Sequence, residues 1–414
     1  MTLYRNNHYV PVWYQERFIP LGNEEKKFWY HDLKPETVVS NGRPYKRKAL
    51  LRWGPKKCFC QDDLYTTKYG QWLSTEIEEK FFGPVDAFAR PALDYFSNFS
   101  HPSAEGDLFH RFLLYMSIQK LRTPKGLAYL ANLTRQIDKN AVLFELQRLQ
   151  KIFCAIWTEC VWSIADASQS ETKFILSDHP VTVYNQGCFP LSEWCRDYRD
   201  PDIWLSGTHT LFPLTIDKIL VLTNLSWVRY PYGNPTKHRP NSNPFRAAMF
   251  KFTGIQVGRS LSDQEVTAIN YIIKSRAYRY IAASEKSWLF PEDKLKAPRW
   301  DSFGRNYLLM PDPRSVSFSG EIIIGYKDKR TDSFDVYGRK PWHSNYDDKA
   351  QHDREWETFH AFQGEFARLF GPRRRGLSFE THRLTPEVDS DEYHAYHLGL
   401  EQKFKKHRYK SRRT

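Results

Sequence analysis

The sequence has no long hydrophobic run and no apolar leader. No stretch of the 414-residue chain approaches the ~18 consecutive apolar residues that a transmembrane helix needs. The N-terminal residues 1–7 include Arg5 and no apolar segment, so we expect no secretory signal peptide. These absences favour a cytoplasmic protein without a membrane partner.

Cysteines and the common catalytic signatures are also scarce. Only six cysteines occur, and we expect them to be reduced thiols in a protein without a signal peptide. Cys58 and Cys60 do not have the Cys-x-x-Cys spacing of structural zinc sites. The sequence contains no Walker loop, no Gly-x-Gly-x-x-Gly, no His-Glu-x-x-His and no Gly-x-Ser-x-Gly. No cofactor is therefore assigned from motifs, and a divalent metal stays an option.

The net charge, in contrast, is strongly positive, and most of the excess of cations over acids comes from two basic clusters near the C-terminus. Lys and Arg number 61 against 48 Asp and Glu, which gives a net charge of +13. The arginines at 373–375 and the seven cations of residues 403–414 leave only +3 for the rest of the chain. The seven cations of this basic tail are Lys403, Lys405, Lys406, Arg408, Lys410, Arg412 and Arg413. Such a segment can bind the phosphates of RNA or DNA by releasing counterions; the alternative is a solvated terminus that only aids solubility.

The apolar spacing predicts a helical block followed by strands. Thr75-x-x-Glu78 matches a capping box, and helical spacing continues to about residue 121 and then over 125–158 as one long helix. Short apolar runs between 161 and 222 predict strands, and Ser262-x-x-Glu265 predicts another helix start. We therefore expect an α+β core over 1–290, with an antiparallel or mixed sheet and an inserted helical block.

The character of the chain changes after residue 290. A hairpin is predicted over 321–337, and an amphipathic helix with an aromatic face is predicted at about 348–370. We assign 291–376 to a C-terminal extension made of this hairpin and helix. Residues 377–414 are then a basic and flexible tail.

Polar residues in three places could carry chemistry. His8 could act as a general base or a metal ligand, or its ring could bond a backbone carbonyl and hold the N-terminal strand. Ser177 and Asp178 follow an apolar run, where Asp178 could bind a metal, orient a histidine, or form an Asx-turn. Gln119 and Arg122 share a helix face, where they could grip an anion or complement the helix dipole.

These clusters, in this order, resemble the mainly bacterial family catalogued as domain of unknown function 4238. The matching motifs are His8-Tyr9-Val10-Pro11-Val12-Trp13-Tyr14, Arg122-Thr123-Pro124, Ser177-Asp178-His179-Pro180-Val181, Phe212-Pro213-Leu214-Thr215, and a closing helix from Asn270 to Arg279-Tyr280. The resemblance covers roughly 1–290, and His179 departs from it because the family often has Asn there. It implies a recurring set of polar positions and no settled activity.

Together these features favour a nucleic-acid-directed hydrolase of phosphodiester bonds, in a host-defence or toxin-like setting. His8 and Asp178 would be catalytic, with Asp178 orienting His8 or holding a divalent ion. The residues expected to contact substrate are Gln119, Arg122, Ser177, Asn270 and Arg279. The alternative is a non-enzymatic module that binds nucleic acid or a small anion.

Overall fold

A computed structural model of the chain describes residues 5–371, apart from 21, 24, 41–42, 101–102, 253, 297 and 319–320. The arginines at 373–375 and the basic tail, 403–413, lie outside the described residues. No helix in the described part is long and apolar enough to cross a membrane.

The N-terminal region is built of short strands. These are β1 (Asn6–His8), β2 (Phe28–Asp32), β3 (Thr37–Ser40), β4 (Arg43–Lys46), β5 (Leu50–Trp53), β6 (Cys60–Asp62), β7 (Thr67–Tyr69) and β8 (Trp72–Ser74), with the short helix α1 (Val12–Gln15) after β1. Strands β1 and β6, β3 and β4, and β7 and β8 form two-stranded pairs. Strands β2 and β5 join a larger sheet described below.

A helical block follows, as expected. It consists of a π-helix (Ile77–Phe82), α2 (Gly83–Ser97), α3 (Gly106–Arg122), α4 (Pro124–Thr134), α5 (Lys139–Arg148) and α6 (Cys154–Thr158). The predicted capping box at Thr75 is wrong, because the Thr75 hydroxyl donates to Glu79 at 2.7 Å and Glu78 is directed elsewhere. The single long helix over 125–158 is also wrong, since Arg135 turns left-handed (φ 56°) and the Asp138 side chain caps a new helix.

Two larger sheets complete the core. Their remaining strands are β9 (Cys160–Asp166), β10 (Leu176–Ser177), β11 (Thr182–Asn185), β12 (Thr208–Pro213), β13 (Lys218–Asn224), β14 (Gln256–Ser260) and β15 (Tyr280–Ala283), with helices α7 (Leu225–Arg229) and α8 (Asp263–Arg276). One sheet has the order β11-β12-β13-β9-β14, in which only β14 runs parallel to its neighbour. The other has the antiparallel order β10-β15-β2-β5. The α+β class is therefore confirmed, with one antiparallel and one mixed sheet.

The helical block covers the mixed sheet with aromatic side chains. Trp162 of β9 packs against Phe96 of α2 and Phe109 of α3, with ring centroids 5.7 and 5.1 Å apart. Strand β12 is buried along its whole length, which is why its sequence lacks the alternation of a half-exposed strand.

The C-terminal hairpin and helix are also confirmed. This part contains α9 (Pro291–Lys294), α10 (Trp300–Arg305), β16 (Glu321–Gly325), β17 (Thr331–Asp335) and α11 (Lys349–Phe370). Helix α11 buries Phe359, Phe362 and Phe366. Phe362 packs against Tyr307, with ring centroids 5.0 Å apart, so the aromatic face of α11 is used for packing against the core.

Candidate functional site

Asp178 joins two strands of one sheet. Its carboxylate accepts hydrogen bonds from the backbone N–H groups of Tyr278 (2.9 Å), Arg279 (2.6 Å) and Tyr280 (2.8 Å). Burial raises the pKa of Asp178, and the three N–H donors oppose that rise. With its oxygens engaged in this way, Asp178 holds the end of β10 against the start of β15.

His8 has a separate partner. Its Nε2 lies 3.1 Å from the backbone oxygen of Lys56 and donates to it, and burial lowers the pKa of the ring. His8 and Asp178 share no hydrogen bond. The structure therefore does not assemble these two residues into an acid–base pair, and it places His8 in the strand-holding role that the sequence allowed as an alternative.

Gln119 and Arg122 are buried in the interior. The Gln119 amide donates to the backbone oxygen of Tyr9 (2.9 Å) and its oxygen accepts from Arg122 Nε (2.7 Å). Arg122 also forms an ion pair with Asp86 at 3.0 Å, and only 1% of Arg122 is exposed. These side chains tie α3 to the N-terminal segment and to α2, so they have no free face for a substrate.

The other predicted contact residues also stabilise the core. The Ser177 hydroxyl accepts from a backbone N–H two residues later (3.2 Å). Asn270 holds a backbone N–H (3.1 Å) and a carbonyl (2.8 Å) of the segment that leads into β10. Arg279 pairs with Asp32 at 2.8 Å. The contacts of Asn270 and Arg279 join segments that are distant in sequence, whereas the contact of Ser177 is local.

A cavity of about 340 Å³ lies beside the junction of α3 and α4, and we call it the α3–α4 cavity. Its charged and titratable lining comprises Lys120, Lys125, His179, Arg199, Asp200 and Asp202. Its apolar lining includes Tyr129, Phe153, Trp194, Ile203, Trp204 and Tyr278. Charged groups and aromatic side chains thus line one partly open cavity.

A tight turn between the two helices brings the lysines together. The Thr123 side chain caps α4 by accepting from the N–H of Gly126 at 3.1 Å. A Cβ atom on Gly126 would lie 2.1 Å from the backbone oxygen of Lys120, so this position accepts only glycine. The close approach places Lys120 at the end of α3 next to Lys125 in the first turn of α4.

Asp200 is the centre of a buried ion cluster. Its carboxylate accepts from Lys125 Nζ at 2.5 Å and from Lys120 Nζ at 2.7 Å, and His179 Nε2 lies 3.1 Å away. Burial alone would raise the pKa of Asp200, but the two ammonium groups hold it well below its ordinary value. Asp200 is therefore ionised at neutral pH.

His179 is neutral within this cluster. Its Nδ1 lies 2.7 Å from the Thr123 hydroxyl, and its Nε2 lies 3.1 Å from Lys120 Nζ. Burial, together with the nearby Lys120 charge, lowers the pKa of His179 to about 3, despite the opposing effect of Asp200. A neutral ring at this place adds no charge to the cavity.

Lys120 and Lys125 differ in the number of hydrogen bonds that each ammonium group can still donate. Lys120 Nζ already has three acceptors, because it also donates to the backbone oxygen of Val181 at 3.2 Å. Lys125 Nζ has two, namely Asp200 and the backbone oxygen of Arg276 at 2.7 Å. Among the described residues, the third N–H of Lys125 has no acceptor, and the Arg199 guanidinium has no ion pair or hydrogen bond. Both groups line the cavity and can receive an anion.

The sequence indicated only part of this site. Thr123 and His179 belong to the recognised motifs, and Lys125 follows directly after Arg-Thr-Pro, so a search around those motifs could have found them. Asp200 lies in an irregular segment without any local signal. Two motif segments that are distant in sequence therefore meet at a cavity whose central carboxylate comes from outside both of them.

Two questions about this site are whether it can hold a metal ion and which known proteins the chain is similar to. Within the described ranges, no group of three or more His, Cys, Asp or Glu side chains is arranged to hold a metal ion. Comparisons with curated proteins and with solved structures find no match. One family model, described as "Protein of unknown function (DUF4238)", matches residues 6–287. The chain therefore belongs to the DUF4238 family, as its motifs indicated.

Proposed function

We propose that the α3–α4 cavity binds a small ligand with one anionic group and one flat apolar part, such as a nucleoside monophosphate. The observation that carries this proposal is the unfilled third N–H of Lys125, which faces a cavity with aromatic walls. The function is then that of a small-anion-binding module.

The charge of the lining favours an anion. Lys120, Lys125 and Arg199 bring three positive charges against the two acidic residues Asp200 and Asp202, and His179 is neutral, so the lining keeps an excess of one cation. Lys120 is saturated and serves mainly to hold Asp200, whereas, within the described part of the chain, one N–H of Lys125 has no acceptor and Arg199 has no ion pair. A phosphate or carboxylate would satisfy these donors at a site that is partly open to solvent, so it can be reached from outside.

The walls favour a flat group. Phe153 lies with its ring centroid 6.1 Å from that of Tyr129 and 6.1 Å from that of Trp204, so the three rings form one continuous surface. Such surfaces accept planar rings by stacking or edge contacts. The volume of about 340 Å³ also falls in the lower part of the range of small-molecule sites, roughly 300–1,000 Å³.

Binding is a better fit to the geometry than phosphodiester hydrolysis. Hydrolysis needs a base or nucleophile with a free lone pair near the substrate. His8 donates to a backbone carbonyl, and Asp178 accepts three backbone N–H groups. Among the polar groups at the cavity, His179 has a pKa of about 3 and is too weak a base at neutral pH.

A thermal-shift panel on the full chain tests the proposal. We expect AMP and UMP to raise the melting temperature, and adenosine and inorganic phosphate to raise it much less, because each lacks one of the two recognised parts. The shift should be lost in Lys125→Met and kept in Lys151→Met, which removes an exposed lysine outside the cavity. Equal shifts in both variants would mean that the nucleotides bind elsewhere and would refute the proposal.

A further inference from the structure

The segment from residue 37 to residue 61 contains seven cationic residues and no acidic residue. These cations are Arg43, Lys46, Arg47, Lys48, Arg52, Lys56 and Lys57. Residues 1–371 contain 50 Lys and Arg against 42 Asp and Glu, which is a net charge of +8, and this segment alone contributes +7 of it. The positive charge of the described core is therefore concentrated in one segment.

All seven of these side chains belong to exposed residues. Arg47 and Arg52 make only loose ion pairs, at 3.6 Å to Glu36 and 3.7 Å to Glu25. The other five form no ion pair or side-chain hydrogen bond with any described residue. Apart from these two loose ion pairs and the contact of Arg52 with the Trp29 ring at 5.2 Å, the cations of this segment have no described partner, and we call the segment the basic surface.

The basic surface begins with a two-stranded ribbon that belongs to no larger sheet. Strands β3 and β4 pair only with each other, with Val39 opposite Pro44 and Val38 opposite Tyr45. Val39 is 71% and Tyr45 is 52% exposed, so the ribbon leaves apolar groups in water instead of burying them. An unpacked ribbon is marginally stable, and its exposed apolar and cationic groups are typical of a surface that contacts a partner.

We propose that the basic surface binds duplex DNA, with the β3–β4 ribbon in a groove. The major groove of B-form DNA, about 12 Å wide, admits a two-stranded ribbon. Arg43 and Lys46 are three residues apart on β4, so they project from opposite faces of the ribbon. Charges on two faces can reach the two phosphate backbones that flank a groove, whereas a flat lipid surface would meet only one face.

The same geometry distinguishes DNA from duplex RNA. The major groove of A-form RNA is deep and too narrow for side chains to enter. The basic surface should therefore prefer duplex DNA over an RNA duplex of equal length. This proposal is separate from the α3–α4 cavity, because no residue of the basic surface lines that cavity.

Fluorescence anisotropy with a short labelled DNA duplex tests the proposal on the full chain. The test variant is Arg43→Gln/Lys46→Gln/Lys48→Gln, and the control Lys286→Gln/Lys327→Gln/Lys349→Gln removes the same charge from exposed residues elsewhere. Each phosphate contact contributes about 0.9 to the slope of log K against log salt, so the test variant should flatten the slope by ~2–3. Near 0.1 M salt it should bind ~30-fold or more weakly, uniformly across sequences, while the control changes affinity by less than about threefold.

Three outcomes would overturn the proposal. The test and control variants could lose affinity equally, which would mean that only net charge or the tail matters. Both could bind as the wild type does. Vesicles of phosphatidylcholine and phosphatidylserine could be bound through Arg43, Lys46 and Lys48 while the DNA is not, which would identify a lipid surface as the partner. Circular dichroism of the test variant controls for unfolding of the ribbon region.

Discussion

Acid should destabilise the fold through His179, and the substitution His179→Asn should remove this effect. The pKa of His179 is about 3 in the folded chain and about 6.5 in an unfolded one. Between those values the unfolded state binds a proton that the folded state does not. The stabilising contribution is therefore fully present above pH 6.5 and is lost as pH falls towards 3.

The size of the effect follows from the two pKa values. One proton taken up only by the unfolded state changes the free energy of unfolding by up to ~1.4 kcal/mol per pH unit. Between pH 7 and pH 4, a folded pKa of about 3 for His179 corresponds to a loss of about 3 kcal/mol. Asn is the natural comparison, because its amide can still bond the Thr123 hydroxyl and does not titrate.

Urea unfolding at pH 7, 5.5 and 4, followed by tryptophan fluorescence, measures this difference. Other groups titrate in the same range, so the informative quantity is the difference between wild type and His179→Asn at each pH. We expect the wild type to lose about 3 kcal/mol more than the variant between pH 7 and pH 4. Parallel pH profiles would refute the assignment of His179 as a neutral, buried ring.

Three further predictions concern other parts of the chain. Burial raises the pKa of Glu78 to about 7, so its contribution to stability is present below pH 4.5 and is lost as pH rises through 7. Glu78→Gln should therefore stabilise the chain by ~1–2 kcal/mol at pH 8 and by little at pH 4 in urea unfolding, and an equal effect at both pH values would contradict this. Asp178→Ala leaves three backbone N–H groups without their acceptor and should cost at least ~3 kcal/mol in the same assay, whereas a loss below ~1 kcal/mol would show that the contacts are not needed. Removal of the basic tail, 403–414, should flatten the salt dependence of nucleic-acid binding by ~2–5 units, and an unchanged slope would leave the tail with a solubility role.

Two similar capping-box patterns, Ser-x-x-Glu and Thr-x-x-Glu, have different outcomes in the structure. Ser262-x-x-Glu265 forms the expected capping box at the start of α8. The same spacing at Thr75 does not, since the Thr75 hydroxyl donates to Glu79 and a π-helix forms in place of a regular first turn. The spacing alone could not reveal that Thr75 bonds the glutamate one residue further along the chain.

The candidate site was harder to predict than the fold. Short apolar runs predicted strands β9, β12 and β13, and the structure buries these strands on both faces. The motif around Arg122 pointed to the right region, but the residues at the cavity are its neighbours Lys120 and Lys125. Asp200 gave no signal, since its role depends on a loop that folds over the helix junction.

The net charge of the chain was a poor guide to where its cations are concentrated. The chain outside the C-terminal arginines and the basic tail sums to only +3, which drew attention to the tail. Yet the cations from Arg43 to Lys57 form a concentrated segment, whose charge is largely offset in that sum by the acidic residues of 376–402. The sequence contains this local charge, and the structure adds that these side chains are exposed and largely unpaired.

Calorimetric titration with AMP and with adenosine tests the central claim most directly. If Lys125 receives the anionic group in the α3–α4 cavity, AMP should bind ~10- to 100-fold more tightly than adenosine, the worth of a charge-assisted hydrogen bond of about 1.5–3 kcal/mol. That difference should nearly disappear in Lys125→Met and persist in Lys151→Met. Equal affinities for AMP and adenosine, or a difference that Lys125→Met leaves intact, would contradict the account.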